Sequence, residues 1–397
     1  MTIVANPHSS PGGGLETWDN VRAQFFETGD PERVLAWRTS AVDSLVLDAC
    51  HQDLPAGPGL AVVAVGGYGR RQLFPYSDVD LLLLFDSEKA IQQADKVVAP
   101  FLQRLWDARL RVSQSVRTLA ECTELHDGNV ELNVSLLDLR YLAGDPQLFH
   151  KLSERLPRFV QGQRQSLMRN LARLTRERHH KHGDTLYHLE PNIKEAPGGL
   201  RDLQVLSWLH QIKGADPKRL GSRPDSADLD AAGRFFFAVR CYLHYHHGRD
   251  ANSLTFDAQE WIADQAGPLD AAAWMRGYFR HARSISLTTA RLVEECEAQS
   301  SSLFSQFRDW RSRLSNAELS VLRERVHFKV PRQLEQDPAM SLRLFAFVAR
   351  HGIRLAPEAE QRIEGNLAVL RSHFSQPLPL WAALKEIFSL PHAVLAL

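Results

Sequence analysis

The stretch AVVAVGGYGRRQLFPYSDVDLLLLF, Ala61–Phe85, holds the residues best placed to do chemistry. Asp78 and Asp80 are two positions apart at the head of an apolar run, and in a β-strand residues so spaced project from the same face. Two carboxylates side by side repel each other unless a cation lies between them. Hard oxygen ligands of this kind suit Mg²⁺, which is held by one or two carboxylates together with substrate phosphates; Mn²⁺ is the alternative ion. Gly66 and Gly67 end the preceding apolar run. Without side chains they let backbone N–H groups approach a triphosphate closely. Arg70, Arg71 and Ser77 lie between the glycines and the carboxylates, where they can meet the same phosphates. Gly-Gly and Asp-x-Asp are each common alone. The ordered combination of strand, Gly-Gly, Asp-x-Asp and second strand is far more demanding.

The elements that must hold these residues are legible in part. A helical stretch is expected from about Trp18 to Cys50. LAVVAV (Leu60–Val65) and DVDLLLLF (Asp78–Phe85) read as buried strands. Apolar residues recur at helical spacing between Lys89 and Leu110, and LRVSQSVRT (Leu110–Thr118) alternates like a strand with one solvated face. NVSLLDLRYL (Asn133–Leu142) fits strand or helix. From about Gln147 helical patterns dominate, with clear cases at 169–183, 234–248 and 274–299. The fold class expected is α+β: a nucleotide-handling domain with a mixed sheet, followed by mainly α-helical domains. The divisions are residues 1–16, Gly/Pro/Ser-rich and expected to be disordered; 17–148, the α/β domain; 149–300, helical; and 301–397, a further helical segment beginning at a Ser-rich joint.

Composition bounds the function. The chain has 397 residues, 44% hydrophobic and 24% charged, as expected of an ordinary globular protein. Its 47 basic and 47 acidic residues balance, which argues against bulk nucleic-acid binding. The first residues show no charged n-region and no long apolar core, no apolar run is long enough to span a bilayer, and the four cysteines are scattered without metal or disulfide spacing. A cytoplasmic protein is expected, with neither membrane nor nucleic acid as partner.

GGYGRRQLFPYSDVDLLLLF resembles the nucleotidyltransferase motif of the DNA polymerase β superfamily. More narrowly it is similar to the bacterial uridylyltransferase/uridylyl-removing enzymes that modify the PII nitrogen signal protein. VSQSVRTLAEC, SLLDLRYLAGD, LEPNIKEAPGGLRDLQVLSWL, LHYHHGRDANSLTFDAQEWIA and DPAMSLRLFAFVARHGIRLAPEA carry the same resemblance in the same order, over about residues 20–397. It implies a polymerase β-like fold and Mg²⁺-dependent transfer of UMP from UTP to a tyrosine of the PII protein, with pyrophosphate released. It also implies a third carboxylate for the metals and the attacking hydroxyl. The strand Leu110–Thr118 has no acid, so Asp138 is the first choice, with Asp127 and Glu131 as fallbacks. Two features depart from the family. Arg71-Gln72 stands where Gly-Glu is usual, adding positive charge beside the phosphate site. Family members also continue into an HD phosphohydrolase domain and two glutamine-sensing ACT domains, whereas this sequence stops at Leu397. The expectation is therefore a transferase without uridylyl-removing activity or glutamine control. Rival readings are an adenylyltransferase acting on glutamine synthetase and a non-catalytic regulator that binds nucleotide or PII.

Other constellations are weaker. In EPNIKEAPGGLRDLQ a Pro-Gly-Gly turn opens a helix, a geometry that can bind phosphate; Lys194 and Arg201 are expected to help with nucleotide binding or domain closure. Arg169, Arg173 and Arg176 with His179, His180, Lys181 and His182 read as a solvated basic face. His244, His246 and His247 lack ligand partners at metal spacing. His126-Asp127 reads as a chance HD dipeptide. Trp208, Trp261, Trp274 and Trp310 are expected in the core.

Overall fold

The computed structural model describes residues 18–55, 57–92, 94–125, 130–214, 226–267, 270–300, 314–322, 325–330, 333–375 and 380–393. The expected disorder of residues 1–16, Asp127 and Trp310 lie outside this set.

The helical stretch from Trp18 is two helices, α1 (Trp18–Thr28) and α2 (Pro31–Asp53). The chain turns at Gly29 (φ 69°), and Asp30 accepts the Glu32 N–H at 3.0 Å while Pro31 opens α2. An acidic cap followed by proline restarts a helix in a new direction, because proline's missing N–H is one the first turn leaves free anyway.

Next come β1 (Leu60–Ala64), the short helix α3 (Gly66–Gly69) and β2 (Val79–Phe85). Helices α4 (Glu88–Gln92) and α5 (Asp95–Asp107) lead to β3 (Val112–Thr118), and α6 (Val130–Ser135) and a 3₁₀ turn (Leu136–Asp138) lead to β4 (Arg140–Gly144). The ambiguous Asn133–Leu142 is thus helix, turn and strand in succession. The sheet order is β3-β2-β1-β4. β1 is antiparallel to β2, with Leu60 opposite Phe85 and Ala64 opposite Leu81, and antiparallel to β4 across a register shift at Val62/Val63. β2 and β3 are parallel, with Asp80 opposite Ser113; the intervening helices supply the crossover that a parallel pair needs.

The two middle strands, β1 and β2, are buried on both faces, which is why they read as continuous apolar runs, whereas the edge strand β3 leaves Ser113, Gln114 and Val116 exposed. Leu60, Val62, Leu81 and Leu83 pack with Val42 and Val46 of α2 and Phe101 and Leu105 of α5. Ala61, Val63, Leu82 and Leu84 belong to a larger core shared with α1 and with the helices that follow. Those are α7 (Pro146–Gly162), α8 (Arg164–Lys181), α9 (Leu200–Ile212), α10 (Ser226–His247), α11 (Phe256–Ala266) and α12 (Ala271–Ser300). Asp145 ties the two regions together: one carboxylate oxygen caps α7 and the other accepts the Gly59 N–H at 3.0 Å, just before β1. Trp208 and Trp274 are buried in this core and Trp261 packs on its edge.

The chain divides into two compact units, Met1–Glu297 and Ala298–Leu397. The expected division near residue 148 falls inside the first, where the core is continuous. The second has its own core around Val326, Leu344, Val348 and Ile387. It is not wholly helical as expected: β5 (Leu319–Leu322), β6 (Arg325–Phe328) and β7 (Arg354–Leu355) form a small sheet in that order. Strands of two to four residues are too short to stamp a period on the sequence. Among the described residues no helix is long and apolar enough to cross a membrane, and the four cysteines are free and buried.

Candidate active site

The turn after β1 is built by glycine for two different reasons. Gly66 sits at φ 55°, and a Cβ there would lie 3.2 Å from Asp80 Oδ2. Gly69 would drive a Cβ to 1.7 Å from the Asp138 carbonyl oxygen, so α3 can seat on the 3₁₀ turn only without a side chain. Gly67 meets nothing closer than 3.6 Å and borders an open cleft. The Val65 N–H donates to the Asp80 carbonyl at 3.1 Å, which locks this turn to the head of β2.

That cleft, of about 520 Å³, gathers Gly66, Gly67, Arg70, Ser77, Asp78 and Asp80 from the α/β region and Lys194 and Arg201 from the helical region. Asp78 precedes β2 by one residue, is about half exposed, and takes a 2.9 Å ion pair from Arg111. Asp80 lies deeper. Burial pushes its carboxyl above the usual range and the charge of Asp78 pushes it further; Lys194, Arg70 and Arg201 offset this. Two adjacent carboxylates in a partly dry cleft are the environment a hard cation relieves, so the donor set fits Mg²⁺ bound by two carboxylates and completed by phosphate oxygens. Among the described residues no cluster of three or more His, Cys, Asp or Glu is placed to hold a metal. β3, beside Asp80, offers Ser113, Gln114 and Ser115 to the cleft and no acid.

Asp138 does not line the cleft. Its carboxylate is buried, pairs with Arg70 Nη1, and accepts the Trp208 indole N–H at 2.9 Å. Burial raises its pKa above the usual range, while Arg70 and Trp208 pull the other way. The expected third ligand is therefore occupied as the counter-charge that aims Arg70. The fallback Asp127 lies outside the described residues, as does the side chain of Glu131. Arg71 is also absent from the cleft lining. It is exposed at φ 60°, the left-handed region that glycine enters freely and other residues enter at a cost of about 1 kcal/mol. Gln72 accepts from Arg70 Nε at 3.0 Å, so it braces the same guanidinium from the other side.

Lys194 and Arg201 are brought in by a folded loop. Asn192 Oδ1 accepts the N–H groups of Lys194 and Glu195, and the Ile193 N–H donates to the Asn252 carbonyl. Burial lowers the Lys194 pKa, with the charges of Arg240 and Arg201 adding to the effect. Arg201 donates to Gln204 at 2.8 Å and lies 3.4 Å from Glu195. The Pro-Gly-Gly turn is needed for packing rather than for a phosphate. A Cβ at Gly198 would come 2.2 Å from the Ala282 carbonyl and one at Gly199 2.7 Å from that of Ile193. The Gly198 N–H is taken by Asp202 at 2.8 Å. Asp202 is fully buried, which alone would raise its pKa, yet His179 at 2.9 Å and Arg178 bring it below the usual range. Part of the basic run on α8 is thus internal, and Arg176 pairs with Glu294 and Glu297 of α12.

Sequence reasoning passed over Arg240 and Asp250, which also line the cleft. A lone arginine on the buried side of the apolar helix RFFFAVRCYLHYHHG was the available signal. His244, one turn on, accepts the Tyr76 N–H at its Nδ1 (3.1 Å) and places Nε2 3.0 Å from Asp250.

Comparison with known proteins bears on this geometry. Residues 44–135 match the nucleotidyltransferase domain model, and residues 166–293 match the model described as GlnD PII-uridylyltransferase. The chain is related to the bifunctional uridylyltransferase/uridylyl-removing enzymes. It is 34% identical to the one from Cereibacter sphaeroides over 329 residues, 78% of this chain and 35% of that protein. With the Azospirillum brasilense enzyme it shares 31% identity over 88% of this chain and 40% of the relative; with that of Pseudomonas entomophila, 32% over 88% and 39%. The chain thus spans well under half the length of these relatives. It carries a nucleotidyltransferase domain, and the matched region includes the Gly66–Gly67 turn and the Asp78/Asp80 pair.

Proposed function

We propose that this chain transfers a nucleoside monophosphate from a nucleoside triphosphate to a protein hydroxyl, with UTP as donor and a tyrosine of the PII protein as acceptor. The observation that carries the reading is the Asp78/Asp80 pair beside a bare glycine turn, in a cleft that faces Arg70, Lys194 and Arg201. The names of the relatives and of the matched family support uridylyl transfer and PII. With UTP as the proposed donor, a cytoplasmic setting belongs to the same reading.

Asp78 and Asp80 would hold Mg²⁺. Bound there, the ion supplies charge neutralisation on the phosphates and a lowered pKa for the attacking hydroxyl. The chain's own groups do the rest. Backbone N–H groups of Gly66 and Gly67 cradle the β- and γ-phosphates, with Ser77 at the edge. Arg70, aimed by Asp138, and Lys194 and Arg201 opposite neutralise the tail. The acceptor hydroxyl gives up its proton to solvent as its oxygen bonds to the α-phosphorus, the bond from that phosphorus to the α–β bridging oxygen breaks, and pyrophosphate departs with the charge that these cations meet.

The test is to incubate the chain with Mg²⁺, each labelled triphosphate in turn and PII. Label from UTP is expected on PII, together with one pyrophosphate per transfer, and Asp80→Asn is expected to abolish both without unfolding the chain. Transfer from ATP alone, or undiminished transfer by Asp80→Asn, overturns the assignment.

A further inference from the structure

Among the described residues lining the cleft, Arg240 is the cation to which the proposed transfer gives no role. It projects from the middle of α10, and its side chain is only 9% exposed. Its guanidinium carbon lies 4.4 Å from the centre of the Phe74 ring, and Nη2 donates to Asp250 Oδ1 at 3.1 Å. Its Nε is buried and has no hydrogen-bond partner among the described residues. Burial depresses its pKa, and Arg201 depresses it further against the pull of Asp250. Lys194, which feels Arg240 in turn, stands beside them. An enclosed guanidinium with an unsatisfied donor, crowded by two other cations, is costly in the ligand-free protein. An anion relieves all three costs together.

Two further contacts tell which anion. Arg240 borders the same cleft as the Gly66–Gly67 turn and Arg201, so the anion shares a site with the phosphate cradle. Phe74, on which the guanidinium rests, also meets Phe237 edge-on, and the nearby Tyr76 N–H is held by His244. One face of α10 therefore grips the segment that leads into Asp78. A planar, delocalised cation stacked on an aromatic ring keeps its fork in a fixed orientation, as bidentate phosphate recognition needs.

Resting on the nucleotidyl-transfer reading, we propose that Arg240 is a further polyphosphate-binding residue of this cleft, held in place by Phe74 and Asp250. Its ligand is the β,γ-diphosphate tail of the donor and the pyrophosphate product. Because Arg240 rests on Phe74, occupancy of this subsite steadies the segment that carries Asp78.

Calorimetry with inorganic pyrophosphate in the presence of Mg²⁺ tests this on the whole chain, with no acceptor needed. Arg240→Gln is expected to weaken pyrophosphate binding at least tenfold. Arg240→Lys, which keeps the charge and most of the packing but loses the fork, is expected to restore part of it. In turnover both variants should raise the KM for the triphosphate and the inhibition constant of pyrophosphate together, leaving the KM for the acceptor protein unchanged. Unchanged pyrophosphate affinity in folded Arg240→Gln overturns the proposal. Should Arg240→Gln fail to fold, Arg240→Lys decides alone, and wild-type affinity there overturns it too. A KM rise shared equally by triphosphate and acceptor points to a structural role and also overturns it. Wild-type protein that binds pyrophosphate but transfers nothing sinks the transfer reading alone; wild-type protein that transfers but does not bind pyrophosphate sinks this one.

Discussion

The contact between Asp138 and Arg70 separates two roles for a buried carboxylate, and Asp138→Asn and Asp138→Ala tell them apart. Asp138 is 3% exposed and Arg70 17%, so the pair is little screened by water. Alanine leaves the guanidinium with Gln72 as its neighbour and strands the Trp208 indole N–H, which now donates at 2.9 Å. Breaking a buried pair on one side costs about 3–5 kcal/mol, and the partial exposure of Arg70 places this case near 3 kcal/mol. For a unit running from Met1 to Glu297 that lowers the melting temperature by roughly 5 °C. Asparagine keeps an acceptor for Trp208 and a neutral one for Arg70, so the loss should be about 1–2 kcal/mol. Thermal unfolding followed by circular dichroism gives the stability, and a Mg²⁺ titration of transfer gives the role. If Asp138 aims Arg70, Asp138→Asn loses stability and raises the KM for triphosphate, while the Mg²⁺ concentration for half-maximal rate stays put. An Asp138→Asn protein as stable as wild type, inactive, and shifted in its Mg²⁺ requirement would refute this and return Asp138 to the metal.

Gly69→Ala is expected to be among the most damaging single-methyl additions, because the new Cβ meets a backbone oxygen at 1.7 Å and neither α3 nor the 3₁₀ turn has a flexible end to yield; expression yield and melting temperature both read the loss, and a wild-type melt contradicts the packing described. Stability should also fall in mild acid through His244. Its Nδ1 accepts the Tyr76 N–H, which leaves the ring neutral with its proton on Nε2, and burial pushes its pKa down to about 4. Between there and the unfolded value of about 6.5 the unfolded chain binds a proton that the folded chain refuses, so this contribution is complete above pH 6.5 and amounts to a loss of roughly 2 kcal/mol by pH 5. Asp250, held below the usual carboxylate range by His244 and Arg240 despite its burial, adds its own loss only below about pH 4. A His244→Gln protein whose stability falls as steeply as wild type between pH 6.5 and 5 would assign the acid sensitivity elsewhere.

What the sequence alone determined is what neighbouring residues decide among themselves. β1, the glycine turn, β2 and the Asp78/Asp80 pair lie within one antiparallel strand–turn–strand unit, Leu60–Phe85. Apolar runs, glycine and alternate acids leave marks there that no distant contact has to complete. The break at Asp30-Pro31 between α1 and α2 is just as local, an acid-proline cap, yet the reading of Trp18–Cys50 as one helical stretch missed it. Tertiary structure decided what each charge does. Asp138 and Arg70 are both chemically able to serve a metal or a phosphate, and only their meeting, with Trp208 behind them, turns the acid into a brace. Arg71 carries the same charge as Arg70 one residue away, yet the left-handed backbone at that position leaves it outside the cleft. Gly198 and Gly199 look like a phosphate turn until α12 and the Ile193 carbonyl close on them. Arg240 and Asp250 join the cleft because α10 packs across the segment before Asp78. Such convergence of distant side chains depends on how helices dock, and docking is set by the whole buried surface rather than by any local spacing.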